Sequence, residues 1–114
     1  MKNLITGTLL FIVGQSMIWF QTNGQFIWPW FKRNPLAVSI IAGTIISYIF
    51  IIATRMIADY YGGLLWPGRF IAFGSGIIGF TFLTWHFMNE GITVKTAISL
   101  TLAFSLVSIQ ILWK

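Results

Sequence analysis

The sequence predicts an all-α integral membrane protein of four transmembrane helices, the third and fourth forming an antiparallel hairpin. Three observations carry that prediction. Of 114 residues, 57% are hydrophobic and only 8% charged, with a mean hydropathy of +0.85; so little polar surface cannot clothe a water-soluble domain of this size. Four apolar stretches, at about 4–20, 36–53, 70–87 and 94–113, follow one another along the chain. Each is close to the roughly 20 residues a helix needs to cross a hydrocarbon core of about 30 Å. All six tryptophans, Trp19, Trp28, Trp30, Trp66, Trp85 and Trp113, fall at or just beyond the ends of these stretches, where an amphipathic indole belongs in the headgroup layer. The chain therefore reads as a single four-helix domain over 1–114.

The first stretch follows Lys2 and has the outline of a secretory signal, but "GQSMIW" offers no small-residue cleavage pattern and the next stretch is also a span. Between the first two spans, "QTNGQFIWPWFKRNP" carries an Asn23-Gly24 turn signal, and Pro35 suits the first turn of the second helix. In "DYYGGLLWPGR", Gly62-Gly63 and Pro67-Gly68 end one helix and begin the next. "MNEGIT" is short enough to force a hairpin, with Thr93 as the N-cap of the last helix.

Composition also narrows function. The formal charge of +5 comes from dispersed lysines and arginines that read as helix-end anchors, unlike the clustered patches that bind nucleic acid; no nucleic-acid partner is expected. Cysteine is absent, which excludes disulfides and thiolate chemistry. One histidine and two carboxylates form neither a metal cluster of ordinary spacing nor a nucleophile-base pair, so an enzyme is not expected and no cofactor is implied. His86 and Glu90 share the stretch "TWHFMNEGIT". Beside the belt residue Trp85 and in a turn, they read as an interfacial imidazole and a carboxylate favouring the positive end of the last helix, ahead of a proton relay.

Inside the spans the polar residues are small. Ser39, Gly43 and Ser47 recur every four residues on the second helix, and Ser75 with Gly79 does so on the third, a spacing that lets helix backbones approach closely in lipid. Gln15 and Ser16 stand apart as candidate substrate contacts, because a mid-span amide must find a partner. Arg55 and Arg69 are a second candidate pair, read either as snorkelling anchors, Arg55 with Asp59 one turn on, or as an anion-attracting vestibule.

The segment "FTFLTWHFMNEGITVKTAISLTLAFSLVSIQIL" resembles the closing helical hairpin of the drug/metabolite transporter superfamily, with Glu90 as its turn carboxylate. The four-helix length is similar to that of its smallest members, the small multidrug resistance proteins. Upstream, "AFGSGIIGFTFLTW" places Gly74 and Gly76 where that family has a Gly-x-Gly that lets the helix bend. The resemblance implies a carrier working by alternating access, a homodimer, a bacterial-type plasma (inner) membrane, and a substrate site to which Gly74 and Gly76 contribute. It also exposes a departure. Aligning Gly14 puts Phe11 where the family keeps its membrane-embedded glutamate, and no acid lies in any predicted span. Ser99 stands near the first packing glycine of the family's last helix, but Leu106 takes the second position. Export of lipophilic cations in exchange for protons is therefore not expected; a neutral or anionic metabolite is. Lys2, Arg55, Arg69 and Lys114 fall on one side of the membrane and Lys32, Arg33 and Lys95 on the other, a balance that leaves the positive-inside rule little to act on. The competing expectation is a non-transporting membrane subunit that packs against a larger membrane complex.

Overall fold

A computed structural model describes residues 1–113 and is helical throughout: α1 (Lys2–Asn23), a 3-10 turn (Gly24–Phe26), α2 (Pro29–Arg33), α3 (Pro35–Tyr60), α4 (Trp66–Met88) and α5 (Val94–Leu112). Four of these helices are long and apolar enough to cross a membrane, which makes the chain an integral membrane protein on length and composition.

Two spans outrun the apolar stretches that announce them. α3 continues past 53 to Tyr60, carrying Arg55 and Asp59 in its last turns, and α4 starts at Trp66, so that Arg69 lies about one turn inside it. Hydropathy ends where side chains turn charged, whereas a helix ends where its backbone bonds are diverted. At the end of α3 the diversion is Gly63, whose N–H donates to the Ala58 carbonyl at 2.7 Å. Gly62 and Gly63 take φ of +69° and +95°, conformations that a side chain resists. Asn89, at φ 58°, closes α4 in the left-handed region. Thr93 caps α5 as expected, its hydroxyl accepting from the Thr96 N–H at 3.2 Å.

The first connection is more ordered than a turn. Gly24 is right-handed helical, with φ −59°, and is buried. Its lack of a side chain serves a close approach: a Cβ there would stand 2.6 Å from the Phe31 ring of α2. Pro29 opens α2 and Pro35 opens α3, both at positions where a missing N–H costs nothing.

α1 packs on α3 along one side and on α4 along the other, and α5 packs mainly on α4. The bundle is flat, with extents of 47 × 36 × 18 Å. Gly7 meets Ile57 and Ala53 of α3, and Gly14 meets Phe50, so α1 and α3 run antiparallel over a seam of glycines. Phe11, Ala53, Ile57, Ile71 and Ala72 form the core where α1, α3 and α4 meet. α5 buries only Ala103 among its described residues. Four crossings put both ends of the chain on one side of the membrane. Reporters fused to each end are expected to signal the same compartment within any one orientation; opposite signals would remove a span from this topology.

Candidate functional site: a groove between α1 and α4

α1 and α4 run parallel, and two side-chain hydrogen bonds join them. At mid-span the Gln15 side-chain amide donates to the Ala72 carbonyl at 3.1 Å. A Cβ on Gly76 would lie 2.9 Å from Gln15 Oε1, so this glycine makes room for the amide. The next residue, Ser16, donates to the Ile12 carbonyl of its own helix at 2.8 Å and lies 3.4 Å from where a Cβ on Gly79 would stand. Near the far end, the indole N–H of Trp19 donates to the Thr84 hydroxyl at 2.9 Å, with both residues buried. Sequence reasoning read Trp19 only as a belt residue and passed over Thr84. The legible signal was a tryptophan at a span end with no guarantee that its N–H reached water.

Beside this contact a groove of about 570 Å³ opens along α4. Trp66, Phe73 and Phe80 wall it, Arg69 stands at one end, and Gln15 and Gly76 line its middle. The structure thus brings together three of the six residues singled out from the sequence: Gln15, Arg69 and Gly76. Ser16 faces Gly79 and its own helix instead. Gly74 points to the other side of α4, where Val107 of α5 lies 3.1 Å from its would-be Cβ. Arg55 is exposed on α3 and does not line the groove. Phe11, at the position the resemblance assigns to a proton-carrying glutamate, is 3% exposed and packs against Phe50 with ring centroids 5.6 Å apart.

The two ends of the bundle differ. On the side of the chain termini, a cavity of about 1010 Å³ lies among Tyr60, Tyr61, Trp66, Phe70, Gln110 and Trp113. It shares Trp66 and Phe70 with the groove. Burial raises the Tyr61 phenol above its ordinary pKa, with Tyr60 beside it adding to the shift, which keeps the Tyr61 hydroxyl available as a neutral hydrogen-bond donor. At the opposite end Trp19, Phe20, Trp28 and Phe87 pack ring against ring, with centroids 5.3 to 6.3 Å apart. His86 is exposed and meets Phe87 edge to face at 4.8 Å. Glu90 is exposed as well. Among the described residues no group of three histidine, cysteine or acidic side chains is placed to hold a metal ion.

What this arrangement defines is a small four-helix integral membrane protein with an apolar groove, one amide at its middle and one guanidinium at its end. No known family matches the chain, and neither does any curated protein or solved structure.

Proposed function

We propose that the protein is a carrier of the drug/metabolite transporter type that works as a homodimer in a bacterial-type plasma membrane. It moves a small neutral or anionic metabolite by alternating access between two states of the helix bundle. The observation that carries this reading is Gln15: a half-buried amide with one bond made to Ala72, lining a groove whose only charged wall among the described residues is Arg69. An amide at mid-depth that ties the groove's wall to the α4 backbone couples the shape of the groove to the α1–α4 contact, so that a change of state at this contact reshapes what the groove can hold. The asymmetry between an aromatic seal at one end and an open cavity at the other supports a pathway caught in one of two states. The flatness of the bundle supports the dimer, because a second copy laid over the groove would enclose it.

Proton-driven export of quaternary ammonium dyes is excluded from this proposal on chemical grounds. An amide does not exchange a proton at neutral pH, and Arg69 repels a cation at the groove's end. Proteoliposomes with an imposed pH gradient are expected to accumulate no ethidium-like dye. Gradient-driven accumulation that disappears in Gln15→Ala or Phe11→Ala would overturn this. In the same vesicles, a panel of labelled neutral and anionic metabolites should reveal a flux that Gln15→Ala abolishes. A second reading has its own observation: α5 exposes nearly all of its surface, as a helix would that packs on a larger complex. Gentle extraction separates the two, since a carrier migrates as a homodimer when expressed alone and a subunit co-purifies with its assembly.

A further inference from the structure

The shape and charge of the groove narrow what it can hold. Trp66, Phe70, Phe73, Ile77 and Phe80 succeed one another by steps of four and three residues, so they form one straight stripe along α4. From Arg69 to Phe80 the stripe runs about 16 Å at the rise of an α-helix. Beyond Arg69, the only polar side chain among the described residues that lines the groove is Gln15 of α1, whose amide N–H already serves the Ala72 carbonyl. A multiply charged soluble anion would leave its far groups unsolvated against this wall. A two-chain phospholipid is too large for about 570 Å³, a volume within the roughly 300–1,000 Å³ of small-molecule pockets. Arg69 is exposed about one turn inside α4, at the depth where a guanidinium reaches the headgroup layer. Its fork of donors matches a carboxylate in two-point fashion.

We infer that the groove binds a single-chain anionic amphiphile, a long-chain carboxylate, with its head on Arg69 and its tail along the Phe70 to Phe80 stripe. This rests on the groove assigned above and names the substrate class of the carrier proposed there. Lipid tails solvate the chain as well as the groove does, so selectivity comes from the head and from the fit of one chain to one channel.

The test uses the full protein in nanodiscs of zwitterionic lipid, with a diazirine-bearing myristate as the probe and mass spectrometry to locate the adducts. Labelling is expected on the 66–80 segment, displaced by dodecanoate but not by dodecanol or dodecyltrimethylammonium. Arg69→Gln should weaken labelling about tenfold, as loss of a charge-assisted hydrogen bond predicts. Arg69→Lys should restore part of it, and Arg55→Gln, outside the groove, should leave it unchanged. Displacement by dodecanol, or indifference to Arg69→Gln, would overturn the inference in favour of an ordinary lipid-facing surface. Displacement by butyrate or inorganic phosphate as readily as by dodecanoate would overturn it in favour of a soluble anion, and preference for a lysophosphatidate would replace the carboxylate head by a phosphate. Labelling as expected without any flux in proteoliposomes would sink the carrier and leave this site standing; Gln15-dependent flux of a neutral solute without labelling would do the reverse.

Discussion

Trp19→Ala is expected to destabilise the bundle by about 3 kcal/mol, the low end of the range for removing a buried large aromatic. The low end applies because exchanging side-chain contacts for lipid gains no hydrophobic transfer energy, leaving packing and hydrogen bonding as the terms that are lost. Trp19 is 3% exposed, packs between Phe20 and Phe87, and donates to Thr84 from a site that water does not reach. Trp19→Phe keeps most of the packing and removes the donor. It should cost only about 0.6–2 kcal/mol, the span found for hydrogen bonds between helices in membranes. Thr84→Val should cost a similar amount, and the two together little more than either, because both remove the same bond. Unfolding in mixed micelles with increasing denaturing detergent measures all four. If Trp19→Phe proves as damaging as Trp19→Ala, the bond and not the packing holds α1 against α4.

The second large effect falls on the opposite side of α1. Gly7→Val should cost about 2–3 kcal/mol through overpacking. A Cβ at Gly7 would come within 2.8 Å of Ile57 Cδ1 and Cγ1, with the Ala53 carbonyl behind at 3.3 Å. Ile57 has 0% exposure, so it has no space to vacate into. Gly14→Val is the informative comparison. The nominal clash there is closer, 2.5 Å from the Phe50 ring, yet Phe50 is only half-buried and its ring can swing toward lipid. The smaller loss is therefore expected at the position with the shorter distance. The same unfolding measurement decides it, and a larger loss at Gly14 would show that α3 yields more easily at Ile57 than its burial implies.

The four spans and most of their ends were legible because length, hydropathy and tryptophan brackets report bilayer depth, and depth is a property of local sequence. Thr93 and Pro35 were legible because caps are local too. What local sequence did not carry was direction around a helix axis relative to neighbours. Gly74 and Gly76 look like one motif, but at about 100° per residue they face different helices, one closing against Val107 and the other opening to Gln15. The partner of Gln15 lies 57 residues away and that of Trp19 lies 65 away; no spacing rule connects such positions. α2 escaped notice because its apolar anchor, Phe31, is held by contact with the bare backbone of Gly24 and not by any periodicity of its own.

The lopsided attachment of α5 bears on how the molecule comes into being. Chains emerge from the ribosome N-terminus first, and α1, which precedes the other three spans, is the one both α3 and α4 need. Each arriving span finds its template already in the bilayer, so Phe11, Ile57 and Ile71 meet once α4 is laid down, and Ile111 of α5 packs against them afterwards. α5 follows onto this three-helix platform and docks by Val107 over Gly74. The order of synthesis thus matches the order in which these four spans need one another, and α5 is the one among them whose neighbours are settled after the others have met.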